Sequence, residues 1–138
     1  MVCETQTFRI STKPDELYNI LDQVSECIRK SKIESGICLV FMAGSTGGIS
    51  CLEFDPGLVK KDVKEMFQKL VPEGPNYAHH NTWGDHNGHS HLRCFLRPPS
   101  FCFPFTNKKP MLGTWQQIVF MEFDEKPRTR EIICQIVG

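Results

Sequence analysis

No histidine lies outside residues 79–91, no two cysteines stand in a C-x-x-C pair, and the basic and acidic side chains cancel at sixteen each. Each absence excludes something. A chain with no excess of basic charge has no footprint for nucleic acid or for an anionic membrane surface, both of which need a concentrated basic patch. No apolar run approaches the ~20 residues that a membrane span requires, and no basic segment followed by an apolar stretch marks a targeting peptide at the N-terminus. The seven cysteines, at 3, 27, 38, 51, 94, 102 and 134, are odd in number and lack short-spaced clusters, which argues against a disulfide framework. Set among apolar neighbours, as in Ile37-Cys38-Leu39-Val40, they read as reduced core thiols of a cytoplasmic protein. With 138 residues, 40% of them hydrophobic, the chain is expected to fold as one domain, 1–138, around a core that needs no staples. Zero net charge also permits self-association.

The order of elements predicts an α+β domain. Residues 4–10 read as a strand, and Ser11-Thr12-Lys13-Pro14-Asp15-Glu16 as a helix start. Leu17, Ile20, Leu21, Val24, Cys27 and Ile28 then repeat at helical spacing, so 14–31 is expected to be an amphipathic helix. The run 37–43 reads as a buried strand. After the turn Gly44-Ser45-Thr46-Gly47-Gly48, a further strand is expected over 49–54. Asp55-Pro56 opens a second helix ended by Val71-Pro72. The stretch 72–87 reads as a long loop, which in a compact domain is usually functional or disordered. Residues 88–97 favour a short helix with Asn87 as cap. Strands follow over 101–105, 111–123 and 129–137, with a turn at Asp124-Glu125-Lys126-Pro127.

All five histidines fall in His79-His80-Asn81-Thr82-Trp83-Gly84-Asp85-His86-Asn87-Gly88-His89-Ser90-His91. Imidazole is the commonest metal ligand and titrates near neutrality, so this stretch is read as a metal or acid–base site. If 88–92 were extended, His89 and His91 would share a face. In a helix they lie ~200° apart, and an apolar stripe of Leu92, Phe95 and Leu96 turns His91 inward, with His79 brought back by the loop as its partner. His80 and His86 read as solvated. Glu53, at the end of an apolar strand, is either a buried acid–base group or a solvated carboxylate. Arg128 and Arg130 are either a phosphate clamp or a solvated hairpin edge.

Six motifs occur in register: Val71-Pro72, Asn76-Tyr77-x-His79, Asp85-x-Asn87-Gly88-His89-Ser90-His91-Leu92, Ser100-x-x-x-Pro104, Leu112-Gly113-Thr114-Trp115-Gln116 and Arg128-x-Arg130. In this the chain resembles the YjbQ family, whose members are often labelled secondary thiamine-phosphate synthases. The resemblance implies an α+β domain with a barrel-like mixed or antiparallel sheet and two long helices. It implies assembly as a homotrimer, with a site near the histidines at or close to the subunit boundary. It further implies a bound divalent metal, often zinc, and a weak ability to join a pyrimidine diphosphate to a thiazole phosphate. On it, His79, His91 and His89 are metal ligands, His79, His91, Asp85 and Glu53 are catalytic, and Trp115 and Gln116, with Arg128 and Arg130, hold the phosphorylated substrate. One departure bears on all of this: Gly44 stands where the family carries a ligand histidine, and glycine offers no donor. Lys108 likewise stands at a family glycine. Two readings follow, a metal-dependent transferase or a non-catalytic trimer with an altered site that binds a ligand or a partner. A structural zinc is the weakest, since a core of this size folds without metal.

Overall fold

In the computed structural model, which describes residues 1–74 and 76–138, two antiparallel sheets curl as a half-barrel around one helix. The larger is formed by β1 (Cys3–Thr12), β3 (Gly36–Met42), β5 (Ser100–Thr106), β6 (Lys109–Pro110) and β8 (Arg128–Val137), in the order β1-β8-β3-β5-β6. The smaller has the order β2-β7-β4, from β2 (Leu17–Asn19), β4 (Gly47–Leu52) and β7 (Gln117–Glu122). Helix α1 (Leu21–Lys30) packs Ile28 and Val24 into a core with Val40, Phe105, Ile118 and Ile132. Helix α2 spans a π-helical turn, Leu58–Asp62, and an α-helical part, Val63–Leu70. Phe67 of α2 packs with Cys94, Val119, Met121 and Phe123 in a second cluster. Two short helices follow, α3 (His80–Trp83) and α4 (Gly88–Leu96). No helix among the described residues is long and apolar enough to cross a membrane.

The first helix starts later than its apolar spacing predicts. Asp15 adopts a left-handed φ of 56°, and the turn it makes sends Leu17–Asn19 into pairing with Val119–Met121 of β7. Leu17 and Ile20 therefore serve the sheet side before the helix begins, and the Asn19 side chain accepts from Leu21 N–H at 3.1 Å, the local capping that Ser11 and Thr12 were expected to supply. The second helix starts as the sequence suggests. Asp55 Oδ1 accepts from the N–H groups of Gly57 and Leu58 at 2.8 and 3.2 Å. The strand expected over 111–123 is shorter, because residues 113–116 close a turn with Gln116 N–H donating to Gly113 O at 3.0 Å. The stretch 72–87, expected to be loop, contains α3; position 75 within it lies outside the described residues.

Lys108 occupies a turn whose backbone suits glycine. The β5–β6 hairpin turns on Asn107 and Lys108, at φ 48° and 60°, a conformation that glycine adopts without steric cost. The lysine uses its ammonium group elsewhere, donating to the carbonyls of Arg29 and Ser31 at the end of α1, where the helix dipole favours a cation.

The large sheet is apolar on both faces of β3. Cys38, Val40 and Met42 point inward, while Ile37, Leu39 and Phe41 stay exposed. Outward Ile37 and Phe41 register with Val137 and Ile133 of β8, extending an uncovered apolar strip across two strands.

Candidate functional site

Helix α4 is held by both ends and by its inner face. At its start, Gly88 N–H donates to His80 Nε2 at 3.1 Å, so a side chain expected to be solvated is the cap of this helix. That bond needs Nε2 unprotonated. It also needs a glycine at 88: a Cβ there would sit 2.8 Å from Tyr77 Cβ and 3.0 Å from His80 Nε2. Tyr77 is fixed in turn, its hydroxyl donating to Pro72 O at 2.6 Å. At the far end, Arg97 donates through Nε and Nη2 to Ile49 O at 2.9 and 2.5 Å. From the middle, Arg93, with only 4% of its side chain exposed, donates to Val71 O at 3.0 Å and to Gln68 Oε1 at 3.1 Å. Sequence reasoning passed over Arg93. The signal was available in its i,i+4 spacing from His89.

The inward face of α4 is not the one its apolar residues suggest. His89, Ser90, Arg93 and Cys94 are buried, while Leu92, Phe95 and Leu96 are exposed, Phe95 to 86%. The physical reason lies in Arg93: its buried guanidinium finds acceptors at Val71 O and Gln68 Oε1, and an unpaired buried charge costs more than an exposed phenyl ring. His91 therefore lies at the flank and His89 at the centre. Burial pushes the His89 pKa below its usual value, with the Arg93 charge adding to the effect, against the opposing pull of Glu73, Glu125 and the His86 carbonyl. Its Nδ1 is buried without a hydrogen-bond partner among the described residues, and Nε2 lies 3.4 Å from Ser90 Oγ.

The structure brings His79 and His91 together, with ring centroids 4.7 Å apart and planes tilted by 37°. His79 Nδ1 is 3.1 Å from Asp85 Oδ1, yet the two are not aligned for a hydrogen bond, and Nδ1 is shielded from solvent. Beside His91 opens a hollow of about 520 Å³, bounded also by Gly44, Ser45, Cys94, Phe95 and Pro99. A Cβ built at Gly44 would approach Met42 Sδ at 2.8 Å and Arg130 Nη1 at 3.4 Å. The glycine thus widens this wall and leaves it without a donor side chain. Among the described residues, no three His, Cys, Asp or Glu side chains converge where they could hold a metal ion.

Five other site candidates lie elsewhere or are committed to other partners. Glu53 is exposed and lines a shallow depression of about 360 Å³ with Trp115, Asp55 and Asn19. It sits beyond the far end of β4, and five residue steps of strand from Gly47 to Leu52 alone measure about 17 Å. Gln116 uses its amide within its own turn, accepting from Gly113 N–H at 2.7 Å and donating to Cys51 Sγ at 3.5 Å. Arg130 forms a two-pronged pair with Glu122, Nε to Oε2 at 2.8 Å and Nη2 to Oε1 at 2.6 Å, and donates to Thr46 Oγ1 at 2.8 Å. Glu122, wholly buried, also accepts from Thr12 Oγ1 at 2.7 Å. Arg128 pairs with buried Asp124 at 2.7 Å. Arg130 is therefore not the solvated residue the sequence left open, whereas Arg128 is exposed; the charge of both is answered by a carboxylate within the fold.

The comparisons place this architecture. The family model described as "UPF0047 protein YjbQ-like" matches residues 6–138. A UPF0047 protein of Archaeoglobus fulgidus is 37% identical over 91% of this chain and 94% of its own. Another, of Methanocaldococcus jannaschii, is 33% identical over 95% and 92%. Among solved structures, a YbjQ-like protein of unknown function from Sulfolobus solfataricus superposes with a TM-score of 0.87 at 31% identity, covering 99% of both chains. A hypothetical protein from Aeropyrum pernix gives 0.89 at 28% identity over 98% of both. The chain belongs to the YjbQ-like UPF0047 family.

Proposed function

We propose that this chain is a ligand-binding member of its family that takes a small phosphorylated molecule into the hollow beside Gly44, with His91 and His79 as the groups that meet the phosphate. One observation carries the reading: His91 lines that hollow and its ring stands 4.7 Å from that of His79, so that two ring N–H groups can donate to one anion. Asp85 Oδ1 stands 3.1 Å from His79 Nδ1, a carboxylate beside the ring that limits its orientation.

A resident zinc is the weaker part of the family inheritance here. A catalytic zinc takes three protein ligands. His79 and His91 supply two, His89 is turned into the interior, and position 44 supplies none. The residues present do not complete the set. Metal-assisted, thiamine-phosphate-synthase-like transfer is the second reading. It is favoured by the carboxylate beside His79, the arrangement that commonly orients a ligating imidazole.

The same proposal includes a homotrimer in the cytoplasm, with no nucleic-acid or membrane partner. Exposed Ile37, Leu39 and Phe41 support self-association, because an apolar strip on a central strand is a contact surface. Seven free thiols suit a reducing compartment. Light scattering tests the assembly, with Phe41→Glu expected to yield monomer; a monomeric native chain would refute it.

Titration calorimetry with inorganic pyrophosphate, on protein stripped by EDTA, tests the site. Binding is expected to survive stripping, to weaken about tenfold in His79→Ala and His91→Ala, the loss of one charged hydrogen bond, and to persist in His86→Ala. Equal weakening in all three variants would refute the site. Binding lost on stripping and restored by zinc would replace this reading with the metal-assisted one.

A further inference from the structure

A second cavity lies on the other side of α4's end, between α2 and the three-stranded sheet. It measures about 130 Å³, and its walls are Leu52 and Cys51 of β4, Val63, Met66 and Phe67 of α2, and Met121 of β7, with Arg97 at the rim. Nothing in the pyrophosphate site involves these side chains. We propose that this cavity is a binding site for a monocyclic aromatic carboxylic acid.

Size, lining and charge each point to that class. Apolar cavities of about 150 Å³ take up benzene, so the about 130 Å³ here has room for one six-membered ring. Two thioethers, Met66 and Met121, surround the space with Phe67. Thioethers make favourable contacts with aromatic ring edges and adapt their shape to an occupant. Only one charged residue lines the cavity, Arg97. Its Nε and Nη2 are bound to Ile49 O, while Nη1 has no hydrogen-bond partner among the described residues, leaving a donor for a carboxylate at the rim. Met66, 46% exposed, forms a flexible side of the entrance. The helix wall begins immediately after the π-helical turn Leu58–Asp62, a local irregularity that recurs at functional sites.

The methyl groups of the lining report occupancy. The experiment records methyl proton–carbon NMR spectra of the full native chain, titrated with benzoate, benzyl alcohol or benzylamine. Benzoate is expected to shift the Val63, Met66 and Met121 signals saturably while leaving Met111, which does not line the cavity, unchanged, and benzylamine to give no saturable shift. Arg97→Gln keeps a donor for Ile49 O and is expected to lower the apparent benzoate affinity about tenfold, to that of benzyl alcohol. Val63→Phe places the chain's own ring in the cavity and is expected to abolish the benzoate shifts at Met66 and Met121. Unshifted Met66 and Met121 signals in excess benzoate overturn the proposal, as does equal binding of benzoate and benzylamine. So does an Arg97→Gln affinity for benzoate equal to that of the native chain. Failure of these outcomes leaves the pyrophosphate titration untouched, since the two sites share no residue.

Discussion

Replacing Arg130 with methionine removes one half of a buried ion pair and shows what this arginine is for. The guanidinium makes two charged hydrogen bonds to Glu122, at 2.8 and 2.6 Å, and one to Thr46 Oγ1 at 2.8 Å. Glu122 has no exposed side-chain surface, and 11% of that of Arg130 is exposed. Methionine fills much of the volume, so packing changes little, but Glu122 keeps only Thr12 Oγ1 and Asp124 N–H as partners. Hydrogen bonds to charged groups are worth about 1.5–3 kcal/mol each and do not add fully. Stranding a buried charge by removing its partner costs about 3–5 kcal/mol, and that is the expected loss for R130M. Against a total stability of about 5–15 kcal/mol, the variant is marginal. The double variant R130M/E122Q removes the stranded charge and is expected to recover a large part of the loss, so the two substitutions are strongly non-additive. Urea unfolding followed by far-ultraviolet circular dichroism, at fixed protomer concentration, measures both. If R130M costs less than about 1 kcal/mol, the range of an exposed pair, the buried-pair reasoning is wrong and Arg130 is free to serve a ligand.

Three further outcomes follow from the same contacts. His89 is kept neutral by burial, so the unfolded chain binds the proton more readily: its stabilising contribution is full above the unfolded pKa of about 6.5 and is lost as pH falls below it, by at most about 1.4 kcal/mol per pH unit. His89→Gln is expected to flatten that part of the unfolding profile, and an unchanged slope would contradict the assignment. His80→Ala removes the acceptor for Gly88 N–H and is expected to cost about 1 kcal/mol, the usual worth of a helix cap, with faster hydrogen exchange in the first turn of α4 as the local sign. Cys27, Cys38, Cys94 and Cys134 are buried, and Cys134 is pushed up to about 12, its bond from Cys27 pulling down while that from Cys38 and burial raise it. These four are expected to resist alkylation until denaturant is added; labelling of any one at the rate of Cys3 would refute the packing.

Much of this molecule was legible before folding was considered. Strand and helix order, the Asp55 cap, the α+β class and the family follow from local signals, because capping, periodicity and turn chemistry act between residues close in sequence. The meeting of His79 with His91 was also within reach, since a short loop and one helix separate them. What the tertiary structure alone decided is which groups are satisfied by distant partners. Arg130 and Arg128 looked available for an anion until Glu122 and Asp124, placed by β7 and the turn after it, claimed them. His89 displaced His91 from the interior because the buried guanidinium of Arg93, one turn further on, had to find acceptors, and did so at Val71 O and Gln68 Oε1. Leu17 and Ile20 were drawn from helix to sheet by β7, a hundred positions away. Each reversal has the same cause. A buried polar group or open strand edge must find a partner across the fold, and that requirement outweighs the local preference of an apolar stripe.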